Sequence, residues 1–438
     1  MVVGGGFGGI HSTKQLAGSD CEVMVIDRKN HHVFQPLLYQ VATAALAPSD
    51  IASPIRSVFS RQENVHTVLG EVVDVDLNDR TITIGSDVVE YDHLVLAAGV
   101  THHYFGNDAW APRAPGLKSI DDALEIRRRV LLAFERAEFE TDPDRRERLL
   151  TFVVVGGGPT GVEMAGALRE IAARTIPADF RRVDTTSSRI ILVEGADRLL
   201  PAMSERASEE AYKALERMGV EVHLSTFITR MDAHAVYAGD ARIPAENVIW
   251  AAGVRAVALA DRMGVAQDKQ GRIIVEPDCA LPDHPEVFVV GDLAVQHSAK
   301  SGTEVPGVAQ GAIQMGEFVG KIIARELSAD APTRHEGRPA FSYRDKGNMA
   351  TVGRARAVAD VAGATFSGLF AWLLWSLVHV AFLIGFRNKL LVMVNWLYQW
   401  LIHTRGSRLI TGALGSHVGG VDARLDAHDG MHVHQFED

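Results

Sequence analysis

The sequence predicts an α/β fold in which one strand–turn–helix–strand unit occurs twice and is followed by an apolar C-terminal region. Three observations lead to this prediction: a glycine-rich loop recurs after an apolar strand, each copy ends its next strand at an acidic residue, and acidic residues are absent from positions 361–421. The chain has 438 residues, of which 47% are hydrophobic and 40 are glycine. This length and composition are typical of a folded protein with several domains.

Charge and cysteine content exclude several classes of protein. The net charge is −11, which argues against a general nucleic-acid binder because phosphate neutralisation needs a basic surface. Cys21 and Cys279 are the only cysteines and lie far apart, so neither a disulfide framework nor a cysteine zinc site is expected. We therefore expect a reducing compartment. Because the first glycine loop begins at Gly4, no export signal is expected.

The duplicated unit begins near residues 1 and 151. Each copy has a short apolar strand, a Gly-x-Gly-x-x-Gly loop, a second strand ending in an acid, and an Ala-Ala-Gly turn. These features occupy residues 2–3, 4–9, 23–27 and 97–99 in the first copy, and residues 152–155, 156–161, 190–194 and 251–253 in the second. Gly4 and Gly156 are 152 positions apart, and Gly99 and Gly253 are 154 apart. The correspondence therefore holds along the whole unit.

Each copy has the pattern of the βαβ unit of a doubly wound parallel sheet, which binds a dinucleotide. The glycines permit a tight turn and a close approach of the backbone to a pyrophosphate, and the helix N-terminus favours the phosphate charge. The acids Asp27 and Glu194 would accept hydrogen bonds from a ribose. Asp27 lies 18 residues after Gly9, whereas Glu194 lies 33 residues after Gly161 because of an insertion at residues 175–188.

The acid of the second copy also predicts which nucleotide binds there. A carboxylate at Glu194 would repel a 2′-phosphate, so NADH is preferred to NADPH. The alternative for Asp27 and Glu194 is that both are solvated acids at strand ends. Their equivalent positions in two copies make that the minor interpretation.

A third strand, at residues 287–290, ends at Gly291 and Asp292 and is expected to return the chain to the first domain. Asp292 would accept hydrogen bonds from the hydroxyls of a ribityl chain; the alternative is a simple turn at a strand end. A helix is predicted to begin after Pro306 and Gly307. Its free N–H groups would face the occupant of the sheet crevice.

Two dinucleotide units followed by this third strand resemble the two-dinucleotide-binding-domain flavoproteins over about residues 1–330. The resemblance implies non-covalent FAD in the first unit and NADH in the second, with the predicted helix end stabilising the reduced flavin ring. Members with thiol chemistry carry a redox-active cysteine pair beside the flavin, and that pair is missing here. Disulfide reductases and typical sulfide:quinone oxidoreductases are therefore disfavoured.

Residues 309–314, Ala-Gln-Gly-Ala-Ile-Gln, look like the AQxAxQ quinone motif of the type II NADH:quinone oxidoreductases. Glu163 within Gly-Val-Glu, the stretch 30–40 and the apolar C-terminal region also match that family. The resemblance implies that Gln310 and Gln314 line a quinone pocket, and that Glu163 lies near the flavin as a proton or charge-transfer participant. The alternatives are solvent-facing glutamines and an acid placed at a helix N-terminus by the macrodipole.

The expected site residues form three sets. The FAD-binding set is Gly4, Gly6, Phe7, Gly8, Gly9, Asp27, Arg28, Ala98, Gly99, Gly291, Asp292, Ala309 and Gln310. The NADH-binding set is Gly156, Gly158, Pro159, Thr160, Gly161, Glu163, Glu194, Ala252 and Gly253. The quinone-binding set is Gln310, Gln314 and Lys346; Lys346 would stabilise a quinone-oxygen anion or is an ordinary surface lysine. Glu163, Gln310 and Gln314 are the expected catalytic residues, and no metal site is expected.

The expected domains follow from the same landmarks. They are an FAD-binding domain at residues 1–115 and 282–345, an NADH-binding domain at 116–281, a membrane-associated and dimerisation region at 346–412, and a flexible tail at 413–438. The tail contains His428, His432 and His434, which look like a metal cluster. A flexible tail is the favoured interpretation.

The C-terminal region is predicted to be a monotopic membrane anchor formed by amphipathic helices. Residues 366–386 are uncharged and long enough to span a bilayer, but they are interrupted by Gly368, Ser376, His379 and Gly385. The next helix has a polar stripe at Asn388, Asn395, Gln399 and His403. Aromatic and basic residues flank both segments: Trp372, Trp375, Trp396, Trp400, Arg387, Lys389, Arg405 and Arg408. The alternative is a buried dimer or core helix.

The predicted activity is transfer of a hydride from NADH to FAD and of two electrons on to menaquinone or ubiquinone. No acidic path crosses the apolar region, so no proton pumping is expected. We expect a homodimer at the cytoplasmic face of the cell membrane. The rival hypotheses are another quinone-reducing dehydrogenase, such as a sulfide:quinone oxidoreductase, and a flavoprotein that senses NADH without turnover.

Overall fold

The computed structural model describes four stretches of the chain, residues 1–328, 335, 337–402 and 406–411. The predicted tail with His428, His432 and His434 lies outside the described residues, as do His403 and Arg405. Within the described part, the predicted α/β fold class is confirmed. Two sheets, one parallel and one parallel except for an antiparallel edge strand, precede a smaller antiparallel sheet and two apolar helices.

The first part of the chain alternates strands with short helices. Its strands are β1 (Val2–Val3), β2 (Val23–Asp27), β3 (His31–Val33), β4 (Ala52–Pro54), β5 (Val65–Leu69), β6 (Val72–Asp76), β7 (Thr81–Ile84), β8 (Asp87–Glu90), β9 (Leu94–Leu96) and β10 (Val100–His102). Its helices are α1 (Phe7–Leu16), α2 (Leu38–Ala42), α3 (Pro48–Ile51) and α4 (Ile55–Val58).

The second part has longer helices. These are α5 (Ile120–Phe139), α6 (Pro143–Leu149), α7 (Pro159–Glu170), α8 (Glu205–Met218) and α9 (Ala258–Arg262). Its strands are β11 (Thr151–Val155), β12 (Arg189–Val193), β13 (Val220–His223), β14 (Arg230–Met231), β15 (Ala235–Ala238), β16 (Ala241–Pro244), β17 (Asn247–Trp250) and β18 (Val254–Ala256).

The remaining described residues return the chain to the first sheet and then form the C-terminal region. The returning elements are β19 (Ile273–Ile274), β20 (Ala280–Leu281), β21 (His284–Val289), β22 (Ala294–Val295) and α10 (Ala309–Glu326). The C-terminal elements are β23 (Asn348–Gly353), β24 (Arg356–Val361), β25 (Ala364–Ser367), α11 (Gly368–Phe382) and α12 (Phe386–Ile402).

The first sheet has the strand order β20-β21-β9-β1-β2-β5. Val2 pairs in parallel with Val25 on one side and with Val95 on the other. Strand β21 pairs in parallel with β9, so the third apolar strand joins this sheet although the whole second unit lies between them in sequence. The central strands are apolar because they are buried in one core, which also includes Val75 and Ile82 of the antiparallel β6-β7-β8 sheet.

The second sheet repeats this arrangement with the order β13-β12-β11-β17, all in parallel. Every residue of β11 is buried. The predicted insertion at residues 175–188 forms the connection from α7 to β12 and includes a short helical turn at Thr185–Ser187. The antiparallel pair β10–β18 links the two units, with Val100 opposite Ala256.

The C-terminal region consists of the antiparallel sheet β23-β24-β25 followed by α11 and α12. The uncharged segment 366–386 is not one helix: β25 ends at Ser367, and α11 ends at Phe382 before Gly385 (φ +87°) reverses the chain. Among the described residues, no helix is both long and apolar enough to cross a membrane. Trp375 of α11 is buried against the protein.

The described residues of the polar stripe, Asn388 and Asn395, face the protein. Asn388 donates to the Ala52 carbonyl oxygen at 3.0 Å, and Asn395 donates to the Asp50 carboxylate at 3.2 Å. The opposite side, which we call the apolar face, is formed by exposed side chains of both helices: Leu369, Phe370, Leu373, Leu377, Phe382, Phe386, Leu390, Met393, Val394, Leu397 and Tyr398. The side chains of Gln399 and Trp400 lie outside the described part of the chain.

Candidate functional site

The two glycine loops have the same backbone geometry. Gly4 has φ +106° and Gly156 has φ +111°, conformations that a residue with a side chain rarely adopts. A Cβ atom on Gly9 would lie 1.8 Å from the Gly4 carbonyl oxygen, and a Cβ on Gly161 would lie 1.8 Å from that of Gly156. Helices α1 and α7 therefore begin directly at the carboxyl ends of β1 and β11. Their N-termini are available to a pyrophosphate.

The predicted ribose acids occupy equivalent positions in the two units. Asp27 accepts a hydrogen bond from Gly5 N at 2.6 Å, and Glu194 accepts one from Gly157 N. The other carboxylate oxygen of each acid accepts from the backbone two residues further along, at 2.7 Å in both units. Both acids are thus held beside their glycine loops rather than pointing freely into solvent. This position suits a carboxylate that binds ribose.

The other predicted nucleotide residues lie at the same two sheet edges. Gly6 and Gly158 are the residues before α1 and α7, whose first turns hold Phe7, Gly8, Pro159 and Thr160. Ala98, Gly99, Ala252 and Gly253 follow the carboxyl ends of β9 and β17. Arg28 differs from this group because its side chain is exposed and lies 4.0 Å from Glu71.

After strand β21, helix α10 packs against the first glycine loop. Gly291 (φ +73°) and Asp292 form a short turn after β21, and a Cβ on Gly307 would lie 3.6 Å from the Asp292 carboxylate. A Cβ on Gly316 would lie only 2.2 Å from the Gly8 carbonyl oxygen. The backbones of α1 and α10 therefore touch without intervening side chains, which brings Asp292 and the start of α10 to the predicted FAD crevice.

Gln310 and Gln314 of α10 hold the backbone that carries Lys346. The Gln310 amide donates to the Gly347 carbonyl oxygen (2.9 Å) and accepts from Lys346 N (3.2 Å). The Gln314 amide donates to the Arg344 carbonyl oxygen (3.0 Å) and accepts from Arg344 N (2.9 Å). Each glutamine side chain thus donates one hydrogen bond to the backbone of this segment and accepts one from it, as the backbone of a neighbouring strand would. The sequence did not indicate this clamp, because the motif alone does not name the partner segment.

Lys346 lies where this segment meets α11. Its ammonium group is 5.4 Å from the centre of the Phe382 ring, within the range of a cation–π contact. The clamp and this contact place a cation between the start of α10 and the apolar helices.

Glu163 is a buried carboxyl group with a raised pKa. It lies on α7, and its Oε1 atom accepts a hydrogen bond from Thr351 N of β23 at 3.3 Å. Burial raises the pKa of Glu163 to about 8, because a carboxylate loses its hydration there. Near neutral pH the group is therefore mostly an uncharged acid, which can release a proton and take one back as the carboxylate.

A buried hydrogen-bond chain connects the surroundings of Glu163 to α12. The Tyr39 hydroxyl lies 2.8 Å from Thr351 Oγ1 and accepts from Gln40 at 3.0 Å. Gln40 Oε1 accepts from the Trp396 indole N–H at 2.7 Å. Burial and the nearby Glu163 raise the pKa of Tyr39 above its usual range. Thr351 and Trp396 were not singled out with Glu163 from the sequence, since no local pattern links them.

The hydrogen bonding of His32 indicates whether the first crevice suits a dinucleotide. Its Nδ1 lies 3.0 Å from the Gly5 carbonyl oxygen, and the Phe7 ring meets it edge-on at 4.9 Å. Burial lowers the pKa of His32 to about 4, so the imidazole is neutral, with Nδ1–H donating to Gly5. Its buried Nε2 has no partner among the described residues. A bound dinucleotide with a hydroxyl or amino donor would supply one.

The described residues contain no arrangement that would suit thiol or metal chemistry. Cys21 and Cys279 are both free thiols, and burial raises the pKa of Cys279 to about 12. No group of three or more His, Cys, Asp or Glu side chains within the described ranges is placed to hold a metal ion.

Comparison with known proteins agrees with this geometry. Residues 1–316 match the family described as pyridine nucleotide-disulphide oxidoreductase, and residues 346–404 match the NDH2 C-terminal domain. The chain is 43% identical to the type II NADH:quinone oxidoreductase Ndh of Mycobacterium tuberculosis, over 94% of this chain and 90% of that protein. It is 28% identical to the type II NADH:quinone oxidoreductase of Staphylococcus haemolyticus, over 84% of this chain and 90% of that protein.

The fold has solved counterparts as well. The structure of NDH2 from Plasmodium falciparum in complex with NADH superposes with a TM-score of 0.83 at 18% identity, covering 94% of this chain and 99% of that one. The sulfide:quinone oxidoreductase of Aquifex aeolicus has a TM-score of 0.71 at 17% identity, covering 89% and 91%. At these identities the likeness concerns the fold alone. The near full-length match to the mycobacterial enzyme shows that the chain belongs to the type II NADH:quinone oxidoreductase family.

Proposed function

We propose that this chain is a membrane-surface NADH:quinone oxidoreductase that passes a hydride from NADH to bound FAD and two electrons on to a quinone, without pumping protons. The observation that carries the proposal is that one chain holds two equivalent glycine-loop and acid crevices, and that α10 joins the first of them to Lys346. The relatives named as type II NADH:quinone oxidoreductases support it.

The first crevice is proposed to bind FAD non-covalently, using residues 1–115 and 282–345. The N-terminus of α1 meets the pyrophosphate, Asp27 binds the adenosine ribose, and Asp292 accepts from the ribityl hydroxyls. His32 Nε2, which has no hydrogen-bond partner within the described part of the chain, is a further acceptor. FAD, when bound, supplies the two-electron redox chemistry.

The second crevice, within residues 116–281, is proposed to bind NADH. The N-terminus of α7 meets the pyrophosphate, and Glu194 accepts from the adenosine ribose hydroxyls. Because Glu194 already accepts two backbone hydrogen bonds, its charge is fixed where a 2′-phosphate would have to lie. NADPH is therefore disfavoured.

The quinone is proposed to bind beside α10 and α11. Gln310 and Gln314 position Lys346, whose ammonium stabilises negative charge that develops on a quinone oxygen. Glu163, uncharged near neutral pH, is the proposed proton-exchanging group. Menaquinone and ubiquinone both present such an oxygen.

The apolar face is proposed to rest in the lipid surface at the cytoplasmic side of the cell membrane. Its side chains are exposed, while Asn388 and Asn395 on the other side of α12 form hydrogen bonds with the protein. Burial of such a face in the acyl boundary is favourable. A homodimer at this surface is part of the proposal.

The test is anaerobic addition of NADH to the detergent-solubilised holoenzyme, with the flavin absorbance band recorded before and after a short-chain quinone is added. We expect bleaching by NADH, much slower bleaching by NADPH, and recovery with quinone. A flavin that NADH cannot reduce contradicts the proposal. Reduction by NADH without recovery would favour an NADH sensor instead.

A further inference from the structure

Phe227 is a large apolar side chain that remains 71% exposed at the mouth of the second crevice. We propose that its ring is the surface on which the adenine of NADH stacks, so that Phe227 sets the affinity of the enzyme for the adenylate half of its substrate. This inference rests on the proposed NADH site.

The position of Phe227 is fixed by the two loops that close the crevice. Thr226 N donates to the Glu194 carbonyl oxygen at 2.9 Å, and Ser225 N donates to the Ala196 carbonyl oxygen at 2.8 Å. The loop after β13 is therefore tied to the loop after β12, one residue before Phe227. The phenylalanine cannot move far from the ribose-binding carboxylate without breaking these bonds.

The ring lies directly over Gly195, the residue after Glu194. A Cβ atom on Gly195 would be 2.5 Å from the nearest carbon of the Phe227 ring, so only glycine leaves room for the ring here. The side chain is thus seated on the backbone beside the acid, with its outer surface open.

The chemistry of the nucleotide requires the adenine to lie at this place. Glu194 is proposed to bind the hydroxyls of the adenosine ribose, and the base is attached to the same sugar ring. The adenine must therefore lie within one sugar's width of the Glu194 carboxylate. An exposed aromatic ring there offers an apolar, polarisable surface for a flat base, which is the usual use of such a ring.

The first unit shows that the fold itself does not need an aromatic residue here. Gly70 N donates to the Asp27 carbonyl oxygen at 2.9 Å, the same hydrogen bond that Thr226 makes to Glu194. The residue that follows Gly70 is Glu71, whereas the residue that follows Thr226 is Phe227. Both units therefore hold this loop to the acid with the same hydrogen bond, but only the second unit has an aromatic residue after it. This difference points to a role for Phe227 in binding the ligand of the second crevice.

The test compares Phe227→Ala holoenzyme with wild type on two hydride donors, NADH and reduced nicotinamide mononucleotide, which has no adenosine. We expect the ratio of kcat/KM for NADH to that for the mononucleotide to fall about five- to tenfold, equivalent to ~1 to 1.4 kcal/mol. Phe227→Tyr should restore the ratio because it keeps the ring. Phe139→Ala, which removes a ring of similar exposure at the end of α5, serves as the matched control.

Three outcomes would overturn the inference. They are an unchanged ratio in Phe227→Ala, an equal loss with both donors, which indicates a structural effect, and an equal fall of the ratio in Phe139→Ala. If wild type oxidises neither donor, the proposed function fails instead. The two failures are therefore distinguishable.

Discussion

Replacing Glu163 by glutamine tests whether this carboxyl is uncharged in the folded protein. Its pKa rises from the ordinary 4.5 to about 8 on burial. Between these values the unfolded chain has released a proton that the folded protein keeps, so the free energy of unfolding falls as the pH rises, by about 1.4 kcal/mol per pH unit. The loss is absent below the lower pKa, complete above the higher one, and about 3 kcal/mol at pH 7.

Glu163→Gln should escape this loss. Glutamine has the same shape, carries no charge, and can accept the same hydrogen bond from Thr351 N. The assay is thermal unfolding of wild-type and variant holoenzyme at about pH 5 and about pH 9. We expect the variant to exceed wild type by several degrees more at the higher pH than at the lower. Its kcat for quinone reduction should fall by about 100-fold, because a general acid–base group is lost.

The reasoning is refuted if the Tm difference between Glu163→Gln and wild type is the same at both pH values. Glu205→Gln is the control, because Glu205 is an exposed acid at the start of α8. It should show no pH-dependent gain in Tm.

Three further predictions follow from other parts of the structure. Gln314→Leu removes both hydrogen bonds to Arg344, each worth about 1 kcal/mol. We expect kcat/KM for quinone to fall roughly 10- to 30-fold in steady-state assays, and an equally slowed flavin reduction by NADH in stopped-flow would contradict the clamp. Glu194→Gln removes the charge that repels a 2′-phosphate, so the NADH/NADPH ratio of kcat/KM should fall by about tenfold; an unchanged ratio would assign selectivity elsewhere. Phe386→Glu places a charge on the apolar face at a side chain that is 82% exposed; co-sedimentation with liposomes should drop severalfold, whereas Val88→Glu on β8 should bind as wild type does.

The sequence by itself determined the features that depend on short stretches of chain. The glycine loops, the acids Asp27 and Glu194 and the recurrence of the whole unit follow from local spacing, because turn and helix geometry are decided within a few residues. The α/β fold class and the family likewise followed from motifs that are contiguous in sequence.

Only the tertiary structure decided which side chains meet across the chain. Glu163 and Thr351 are 188 positions apart, and Gln40 and Trp396 are 356 apart, so no local pattern could pair them. The polar stripe of α12 was expected from its spacing, but only the fold shows Asn388 turned towards the protein, with the apolar residues left exposed. Helical periodicity shows that a helix has two faces. Packing decides which face is buried, because that choice depends on the surfaces that distant segments offer.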